Sequence, residues 1–394
     1  MSSIEIKKSY EEINDRIKKG KAIVVTAEEM PDIVKNEGIK KAFEKVDVVT
    51  TGTFGVMCSS GAFLNFGHTK PRMRASKVWV NDVEAYGGIA AVDCYIGATQ
   101  VKDDDPLNMV HPGSFSYGGG HVIEDLIAGR HVKLKTKSYG TDCYPLKEFE
   151  KTITINDLRN ALLYNPRNAY QNYNVAINLS KKIKYTYMGI LKPDMGNITY
   201  SSAGQLSPLL NDPYYWTIGT GIKIFLGGAV GAVSWHGTQH SPDSLRDENG
   251  MVREGAGTIA VCGNMKEMNT EYIRGASLTG YGTSLMVGIG IPIPILNEDL
   301  AFFTGLSDKD IKAQLIDYGI DYPEGNPVSL KEVTYAELKS GYVEFRGRNI
   351  PSSPLSSYPK ARKIANVLKE WIENGFTVGV PQIQAPTIPY VKNR

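Results

Sequence analysis

The segment at residues 277–296, SLTGYGTSLMVGIGIPIPIL, distinguishes between two very different classes of fold, a membrane-spanning protein and a globular one. It carries no charged residue over 20 positions, which is the length that a membrane-spanning helix requires. The same positions, however, include four glycines and two prolines. A helix in lipid has to satisfy its own backbone hydrogen bonds, and this density of glycine and proline opposes that. The segment therefore predicts a buried strand and loop inside a globular protein.

On both sides of this segment, helical and strand-like patterns alternate. Helices are predicted at residues 9–20, 26–45, 121–128, 152–163, 297–303, 307–315 and 360–373. Strands are predicted at residues 22–26, 46–51, 78–80, 89–96, 174–179, 198–200 and 258–263, with a further apolar run at 222–233. The alternation favours a mixed α/β fold, with α+β as the open alternative, in a large globular domain rich in glycine and loops.

A Pro/Ser-rich connector at residues 351–359, PSSPLSSYP, precedes the last predicted helix. It divides the chain into a main domain at residues 1–350 and a C-terminal linker, helix and tail at residues 351–394. We expect the second part to pack on the first.

Composition excludes several classes of protein. The 394 residues include 44 Lys+Arg and 42 Asp+Glu, a balance that argues against a nucleic-acid binder held by phosphate contacts. Four cysteines are too few for a disulfide scaffold and fit unpaired thiols in a reducing compartment. The charged N-terminus has no apolar signal core, so a cytoplasmic location is expected. The 40 glycines exceed the usual share of about 7% and indicate many special turns or close backbone–ligand contacts.

Thiols and imidazoles are concentrated in one part of the sequence. Cys58, Cys94 and Cys143 lie within 86 residues, and four of the six histidines lie in the same span. A thiol becomes a strong nucleophile when His, Lys, Arg or a helix N-terminus lowers its pKa. Cys58 follows a predicted strand and Cys143 lies in a polar loop, so both are candidate functional residues. Cys94 and Cys262 lie in apolar runs and are predicted to be core residues.

Metal and phosphate motifs are weak. No C-x-x-C pair encodes a local zinc or ferredoxin site, but a labile Fe–S cluster on Cys58, Cys94 and Cys143 stays open. Residues 235–240, WHGTQH, are predicted to form a loop that lines a pocket. Glycines at 118–120 precede a short helix and either bind an anion or form a flexible turn. Glycines at 219–228 only loosely match a dinucleotide turn.

Five stretches carry a resemblance to a known family: residues 53–68 (TFGVMCSSGAFLNFGH), 81–86 (NDVEAY), 139–145 (YGTDCYP), 234–240 (SWHGTQH) and 288–295 (GIGIPIPI). Together they resemble the homocysteine biosynthesis (L-aspartate semialdehyde sulfurtransferase) family of methanogens and some anaerobic bacteria. The likeness spans nearly the whole chain, and the first and third stretches are its most specific parts. Many members end with a pair of CBS modules, and we expect none in this chain, whose last helix is followed by a short tail.

This resemblance implies that the main domain inserts sulfur into L-aspartate semialdehyde to form homocysteine, through a cysteine persulfide and with an external reductant. The family's essential cysteine, thought to carry the persulfide, matches Cys143, and a second, helpful cysteine matches Cys58. The implied partners are sulfide or another sulfur donor and a ferredoxin-like electron donor protein. A homo-oligomer stays open, and neither nucleic acid nor a membrane is expected.

The substrate's polar groups need partners in this chain. The candidates for substrate binding are His68, His236, His240, Trp235, Arg72 and Arg74, with Lys70 and the aromatic residues 214–216 as further candidates for its amino and carboxylate groups. Two other functions stay open: an Fe–S or persulfide sulfur-carrier scaffold that serves another enzyme, and a nucleotide-dependent oxidoreductase built on the glycine loops.

Overall fold

The computed structural model describes residues 5–168, 171–255, 257–320 and 328–390, and it shows a mixed α/β fold, as predicted. Within these ranges the helices are α1 (Tyr10–Lys18), α2 (Met30–Glu37), α3 (Ile39–Lys45), α4 (Gly119–Ile127), α5 (Pro208–Asn211), α6 (Glu298–Thr304), α7 (Tyr335–Lys339) and α8 (Tyr358–Glu373). Short 3₁₀ helices lie at Pro106–Asn108, Ile155–Asp157, Gly204–Leu206 and Met265–Glu267. None of the helices in the described ranges combines the length and apolar character that crossing a bilayer requires.

The strands in the described ranges are β1 (Val24–Thr26), β2 (Val48–Thr50), β3 (Thr53–Val56), β4 (Gly61–Asn65), β5 (Lys77–Val80), β6 (Val83–Ala85), β7 (Asp93–Gly97), β8 (Val132–Lys137), β9 (Glu148–Ile153), β10 (Asn160–Asn168), β11 (Val175–Ile177), β12 (Lys184–Thr186), β13 (Gly189–Leu191), β14 (Ile198–Tyr200), β15 (Gly219–Thr220), β16 (Lys223–Leu226), β17 (Ala229–Trp235), β18 (Ile259–Asn264), β19 (Ile273–Leu278), β20 (Gly282–Gly290), β21 (Pro292–Pro294), β22 (Lys312–Asp317), β23 (Ser329–Thr334), β24 (Tyr342–Phe345), β25 (Arg348–Pro354) and β26 (Ile383–Gln384).

The largest sheet has nine strands in the order β19-β20-β16-β17-β18-β10-β4-β7, and β3 pairs with β20 outside this path. Ile289 of β20 pairs with Leu226 of β16 and with Thr53 of β3, so β20 has neighbours on both of its edges. The apolar run at residues 222–233 forms the β16–β17 hairpin. Its turn contains Gly227 and Gly228 at φ 62° and 95°, the positive angles that a two-residue hairpin turn requires.

The uncharged segment at residues 277–296 consists mainly of β20 and β21, and most of its side chains are buried. The prediction of a buried strand and loop is confirmed. β21 continues from β20 into a second sheet of three strands, in the order β1-β2-β21. The segment therefore links two sheets through one continuous apolar stretch, which explains why it contains no charge.

A third, six-stranded sheet has the order β23-β22-β11-β14-β25-β24. β14 is antiparallel to β11 and parallel to β25, with Tyr200 opposite both Val175 and Pro354. The start of β11 therefore lies beside the ends of β14 and β25. This arrangement brings residues 173–174, 201–202 and 355–356 to one end of the sheet. The described residues also form three smaller sheets: β6-β5-β8-β9, β12-β13 and β15-β26.

Two helices cover the β20 region. α8 contacts β20, β3 and β1 and buries Ala361, Ile364, Ala365, Leu368 and Ile372. α4 packs against β19 and β20, where a Cβ on Gly120 would lie 1.9 Å from the Ser284 carbonyl oxygen, and a Cβ on Gly119 would lie 1.8 Å from the Gly97 carbonyl oxygen. These glycines serve close packing of a helix on a sheet. The backbone N–H groups of both donate to carbonyls at Gln100 and Ala98, so the predicted anion site or flexible turn is wrong.

Several predicted elements are confirmed, including α1 with its Ser9 cap, α4, α6, α8 and most of the strands. The helix predicted at residues 152–163 is wrong. Thr154 and Asp157 do form a capping box, but it caps a single 3₁₀ turn between β9 and β10. The helix predicted at residues 307–315 is also wrong, because Ser307 and Asp310 bond within one isolated turn before β22 begins. The helix predicted at 26–45 is two helices separated at Gly38.

Candidate active site

A cavity of about 600 Å³ is lined from two sheets. One wall consists of residues 55–59, at the end of β3 and just after it. Another part of the lining includes residues 173–174, 201–202 and 355–356, at the end of the six-stranded sheet. This volume is in the range of pockets that bind small molecules. The lining residues in the described ranges include polar amides, hydroxyls and one arginine, but no Asp or Glu.

Cys58 faces this cavity as a half-buried thiol. β3 runs antiparallel to β20 with Val56 opposite Met286, and the Met57 N–H extends the pairing by donating to the Leu285 carbonyl at 2.8 Å. Two residues beyond this pair, in the direction in which β3 runs, the same register brings Cys58 to Ser284. The Ser284 hydroxyl donates to the Cys58 sulfur at 3.1 Å. The position of the thiol is therefore set by pairing between segments 226 residues apart in sequence.

Opposing effects act on the ionisation of Cys58. Burial raises the pKa of the thiol above its ordinary value. Hydrogen bonds from the Ser284 and Tyr281 hydroxyls lower the pKa, and so does the positive charge of Arg167. The arrangement keeps the thiol protonated more readily than in water, yet it provides donors for any negative sulfur that forms there.

Arg167 reaches the cavity because β10 contains a bulge. Asn165 pairs with Val261 of β18 and Asn168 pairs with Ile259, so the β10 segment has one residue more than its partner. The Arg167 N–H donates to the Asn165 side-chain oxygen at 2.9 Å, and its guanidinium donates to Gln239. The bulge thereby directs a cation from a sheet strand into the site.

Amide and hydroxyl groups connect the bulge to the Cys58 turn. The Asn165 amide donates to the Ser60 hydroxyl at 3.0 Å and to the Asn168 side-chain oxygen at 2.9 Å. Asn165, Asn168 and Ser60 are all buried. A buried polar network with satisfied partners fixes the relative positions of the groups it joins. Cys58 and Arg167 are therefore held by one network, although 109 positions separate them in sequence.

A group of tyrosines begins next to Cys58 and continues along the cavity lining. The Tyr187 ring lies 6.0 Å from the ring of Tyr281, and its hydroxyl is 2.8 Å from the Tyr318 hydroxyl. The Asn174 amide donates to the Tyr318 hydroxyl at 3.1 Å. Burial raises the pKa of Tyr187 above its ordinary value, so this phenol stays protonated. Hydroxyl donors thus extend from Cys58 across the cavity.

Comparison with known proteins shows the family. A sequence profile described as "Homocysteine biosynthesis enzyme, sulfur-incorporation" matches residues 22–378, a range that includes the whole cavity. The chain belongs to this family. A protein of Methanosarcina acetivorans named L-aspartate semialdehyde sulfurtransferase is 52% identical over 377 residues, which are 95% of this chain and 71% of the relative. A protein of the same name from Methanocaldococcus jannaschii is 46% identical over 383 residues, 94% of this chain and 71% of the relative. No solved structure matches the chain.

In this homocysteine biosynthesis family member, the second candidate cysteine lies elsewhere. Cys143 is exposed in the loop between β8 and β9. The neighbouring Tyr144 ring stacks on His68 with centroids 6.3 Å apart, and His68 follows the last residue of β4, whereas Cys58 precedes its first. A five-residue strand spans roughly 13 Å. The two thiols therefore lie near opposite ends of β4, and the structure does not bring them together.

The predicted loop at residues 235–240 lies next to the cavity, and within it Gln239 lines the cavity while Trp235, His236 and His240 do not. The His240 Nδ1 accepts the Thr258 N–H at 3.1 Å, and Nε2 donates to the Pro386 carbonyl at 2.7 Å. His240 therefore joins the residue just before β18 to the C-terminal tail. His236 lies 5.5 Å from it, ring to ring, and burial together with His240 lowers the pKa of His236. Their roles in substrate binding stay predictions.

The other predicted binding residues also lie outside the cavity lining. Arg72 and Arg74 are exposed, in a stretch whose Arg72 carbonyl accepts the Leu146 N–H at 3.2 Å. With Lys70 and His68 they lie on the side of the molecule that carries the Cys143 loop. The aromatic residues 214–216 are buried; Tyr214 and Trp216 pack against Phe303 and Tyr390, and Tyr215 packs against His240.

Of the two remaining cysteines, Cys94 is a core residue, as predicted. It is fully buried, and burial raises its pKa to about 12. Cys262 is only partly buried, on a strand face that it shares with Tyr164. In the described ranges, no three His, Cys, Asp or Glu side chains are arranged to hold a metal ion. Cys58, Cys94 and Cys143 therefore do not form one ligand set there.

The glycines at 219–228 do not form the strand-to-helix turn that a dinucleotide-binding site requires. Gly219 belongs to β15, which pairs with β26, and Gly227 and Gly228 form a hairpin turn. These glycines serve strand connections.

Sequence reasoning missed most of the cavity. Ser284 and Tyr281 lie in the uncharged segment at residues 277–296, whose apolar character predicts only a buried strand. Arg167 follows a stretch predicted as helix, which gives it no position in a sheet. Gln239 lies between the two histidines of the motif at residues 235–240. The signal available in the sequence is the polar Ser284 within an otherwise apolar strand and Tyr281 just before it.

Proposed function

We propose that this chain is an L-aspartate semialdehyde sulfurtransferase that forms homocysteine. The observation that carries the proposal is the Cys58 cavity, in which a half-buried thiol lies beside two hydroxyl donors and a guanidinium. The relatives that share 52% and 46% of its residues bear this name. A cavity with these donors is suited to sulfur transfer to an aldehyde carbon, because they stabilise the oxyanion that forms, and its thiol can release the product from a persulfide.

Sulfur enters at Cys143 in this proposal. Hydrosulfide attacks the Cys143 sulfur of a Cys58–Cys143 disulfide, the S–S bond breaks, and its electron pair leaves with Cys58. Cys143 then carries the persulfide and Cys58 is a free thiol. The exposure of Cys143 supports this assignment, because a loop thiol is open to sulfide or to a sulfur-donating protein.

Carbon–sulfur bond formation follows in the cavity. The terminal persulfide sulfur attacks the aldehyde carbon, and the carbonyl electron pair moves to oxygen, where Tyr281 or Ser284 donates a hydrogen bond and a proton. The Cys58 thiolate then attacks the Cys143 sulfur, which restores the disulfide and releases a hydroxythiolate. Loss of water from this species gives a thioaldehyde.

Reduction completes the reaction. Two electrons and two protons convert the thioaldehyde carbon–sulfur double bond into the thiol of homocysteine. We propose that a ferredoxin-like iron–sulfur protein supplies these electrons. The sum is one aldehyde, one hydrogen sulfide, two electrons and two protons in, and one homocysteine and one water out.

The two thiols have to meet for this cycle to run. Because they lie near opposite ends of β4, either the Cys143 loop moves to the cavity or the loop of a second copy enters it. The cavity volume of about 600 Å³ leaves room for both a four-carbon substrate and an incoming cysteine. A homo-oligomer would supply the second copy.

Mass spectrometry tests the proposal directly when the protein is first oxidised to the Cys58–Cys143 disulfide and then exposed to sulfide without oxygen, because the disulfide supplies the two oxidising equivalents that a persulfide needs. We expect a mass increase of about 32 Da, one sulfur atom, on the peptide that contains Cys143. Incubation with L-aspartate semialdehyde, sulfide and a low-potential reductant should then yield homocysteine. Absence of homocysteine, or a sulfur adduct confined to Cys94 and Cys262, would contradict the proposal.

Exposure of Cys143 also favours a second candidate function, a persulfide carrier that delivers sulfur to another enzyme. Such a carrier would take up sulfur but form no homocysteine by itself. Iron and acid-labile sulfide analysis of anaerobically purified protein separates the cluster-based form of this function from the persulfide form. We also propose a cytoplasmic location, since four cysteines in 394 residues are too few for a disulfide scaffold of the kind that secreted proteins use.

A further inference from the structure

Arg167 is the charged side chain among the described residues that line the Cys58 cavity. It is partly buried, and its guanidinium donates to the Gln239 side-chain oxygen. In the described ranges no carboxylate forms an ion pair with it, whereas Arg253 and Arg362 each pair with a glutamate. A guanidinium has five N–H donors, and the bond to Gln239 uses one of them.

The electrostatic character of the cavity follows from this arrangement. The lining contains a cation and no Asp or Glu in the described ranges, so it favours an anionic ligand over a neutral or cationic one. A planar guanidinium matches a carboxylate geometrically and binds it through two parallel hydrogen bonds. The Cys58 thiol lies in the same cavity, close enough for the charge of Arg167 to lower its pKa.

We propose that Arg167, oriented by Gln239, binds the carboxylate of the substrate and so selects a small amino-acid aldehyde. This inference rests on the proposed function for the identity of the aldehyde, but the carboxylate requirement follows from the cavity alone. Anchored at Arg167, the substrate carboxylate directs the opposite end of the molecule towards Cys58 and its hydroxyl donors. The amino group then meets neutral acceptors, since Asn168, Asn174 and the serines line the remaining surface.

The assignment differs from the basic residues that the sequence suggested. Arg72 and Arg74 are exposed and lie outside the cavity lining. An exposed arginine interacts with a carboxylate weakly, because water screens both charges. Arg167 is partly buried and lines a cavity, so water screens the same interaction less there.

Binding of an unreactive probe tests Arg167 without relying on turnover. L-Homoserine keeps the carboxylate, the amino group and the chain length but has no aldehyde, and its affinity can be measured by calorimetry. We expect Arg167→Gln to weaken its binding roughly 10- to 100-fold, the range for loss of a charge-assisted hydrogen-bond pair. The affinity of Arg167→Lys for L-homoserine should lie between those of Arg167→Gln and the wild type, because lysine keeps the charge but cannot form two parallel hydrogen bonds.

Two comparisons make the result specific. Arg274→Gln removes an exposed arginine of β19 that does not line the cavity, and it should leave the affinity unchanged. The carboxylate-free analogue 3-aminopropan-1-ol should bind the wild type far more weakly than L-homoserine and be insensitive to Arg167→Gln. Equal binding of L-homoserine by the wild type and both Arg167 variants, or no binding of it by the wild type, would overturn the proposal.

Turnover distinguishes this inference from the proposed function. If the wild type forms homocysteine and Arg167→Gln raises the KM for L-aspartate semialdehyde with kcat little changed, both stand. If the wild type binds L-homoserine through Arg167 but forms no homocysteine, the carboxylate site stands and the proposed function fails. If homocysteine forms with an unchanged KM in Arg167→Gln, the proposed function stands and Arg167 is not the anchor.

Discussion

The Cys58 cavity and the Cys143 loop present two thiols in opposite physical settings. Cys58 is half-buried between two sheets and has Ser284, Tyr281 and Arg167 as partners. Cys143 is exposed in a hairpin loop, where its neighbour Tyr144 stacks on His68. A buried site excludes water and fixes geometry, whereas an exposed loop gives access to large donors. The difference indicates a division of labour, with sulfur uptake at the loop and bond formation in the cavity.

Replacement of Cys143 should have the largest effect. Cys143→Ala removes the proposed sulfur-bearing atom, so homocysteine formation should fall by roughly 10³-fold or more, the scale seen when an essential nucleophile is lost. The measurement is the initial rate with L-aspartate semialdehyde, sulfide and reductant. Binding of L-homoserine in the cavity should be unchanged, because the loop lies near the other end of β4. A Cys143→Ala enzyme with the wild-type rate would remove the loop from the mechanism.

Replacement of Cys58 should have a smaller effect that an added thiol relieves. In Cys58→Ala the persulfide, loaded on Cys143 from polysulfide, still attacks the aldehyde, but no neighbouring thiol releases the adduct. We expect a rate roughly 10- to 100-fold lower, because an external thiol has to replace an intramolecular one. Dithiothreitol should restore part of the rate, and mass spectrometry should detect the substrate–sulfur adduct on the Cys143 peptide. No adduct and no rescue would argue against a resolving role for Cys58.

A packing change should affect one thiol and spare the other. In Gly120→Ala the new Cβ would lie 1.9 Å from the Ser284 carbonyl oxygen, so α4 and β20 must separate. Overpacking of this kind costs about 1–3 kcal/mol in the free energy of unfolding, measurable by urea denaturation. The matched control is Gly97→Ala, whose Cβ meets nothing within 4 Å and which should cost little.

In the same Gly120→Ala variant, the rate of Cys58 alkylation should change because Ser284 moves, while the rate at Cys143 should stay constant. Equal changes at both thiols would show that the two regions are coupled through the sheet.

The sequence was informative where a local pattern determines the outcome. The glycine and proline content of residues 277–296 correctly predicted a buried strand, and Ser9 correctly predicted the start of α1. Local signals misled where they act over one turn only, as at Thr154 and Ser307, because a capping interaction stabilises a single turn as well as a helix.

The cavity could not be predicted for a different reason. The contact between Cys58 and Ser284 depends on the register of β3 on β20, and the direction of Arg167 depends on a bulge in β10. Register and bulges are set by which distant strands pair, and nothing in the neighbouring residues encodes that choice. Cys58 and Cys143 were both found as candidates, because thiols are rare in this chain, but their different surroundings were visible only in the fold.

The smallest expected effect concerns the hydrogen bond between Ser284 and Cys58. The hydroxyl donates to sulfur and favours the thiolate, so it lowers the pKa of Cys58 against the effect of burial. Ser284→Ala should therefore raise this pKa and leave about tenfold less thiolate at a given pH below it, if the bond is worth about 1.4 kcal/mol. The pH dependence of iodoacetamide alkylation measures the shift, with Cys143 as the internal control whose profile should not move. Because the thiolate is the reactive form, alkylation at Cys58 should need a higher pH in the variant, and an unchanged profile would mean that Ser284 does not stabilise it.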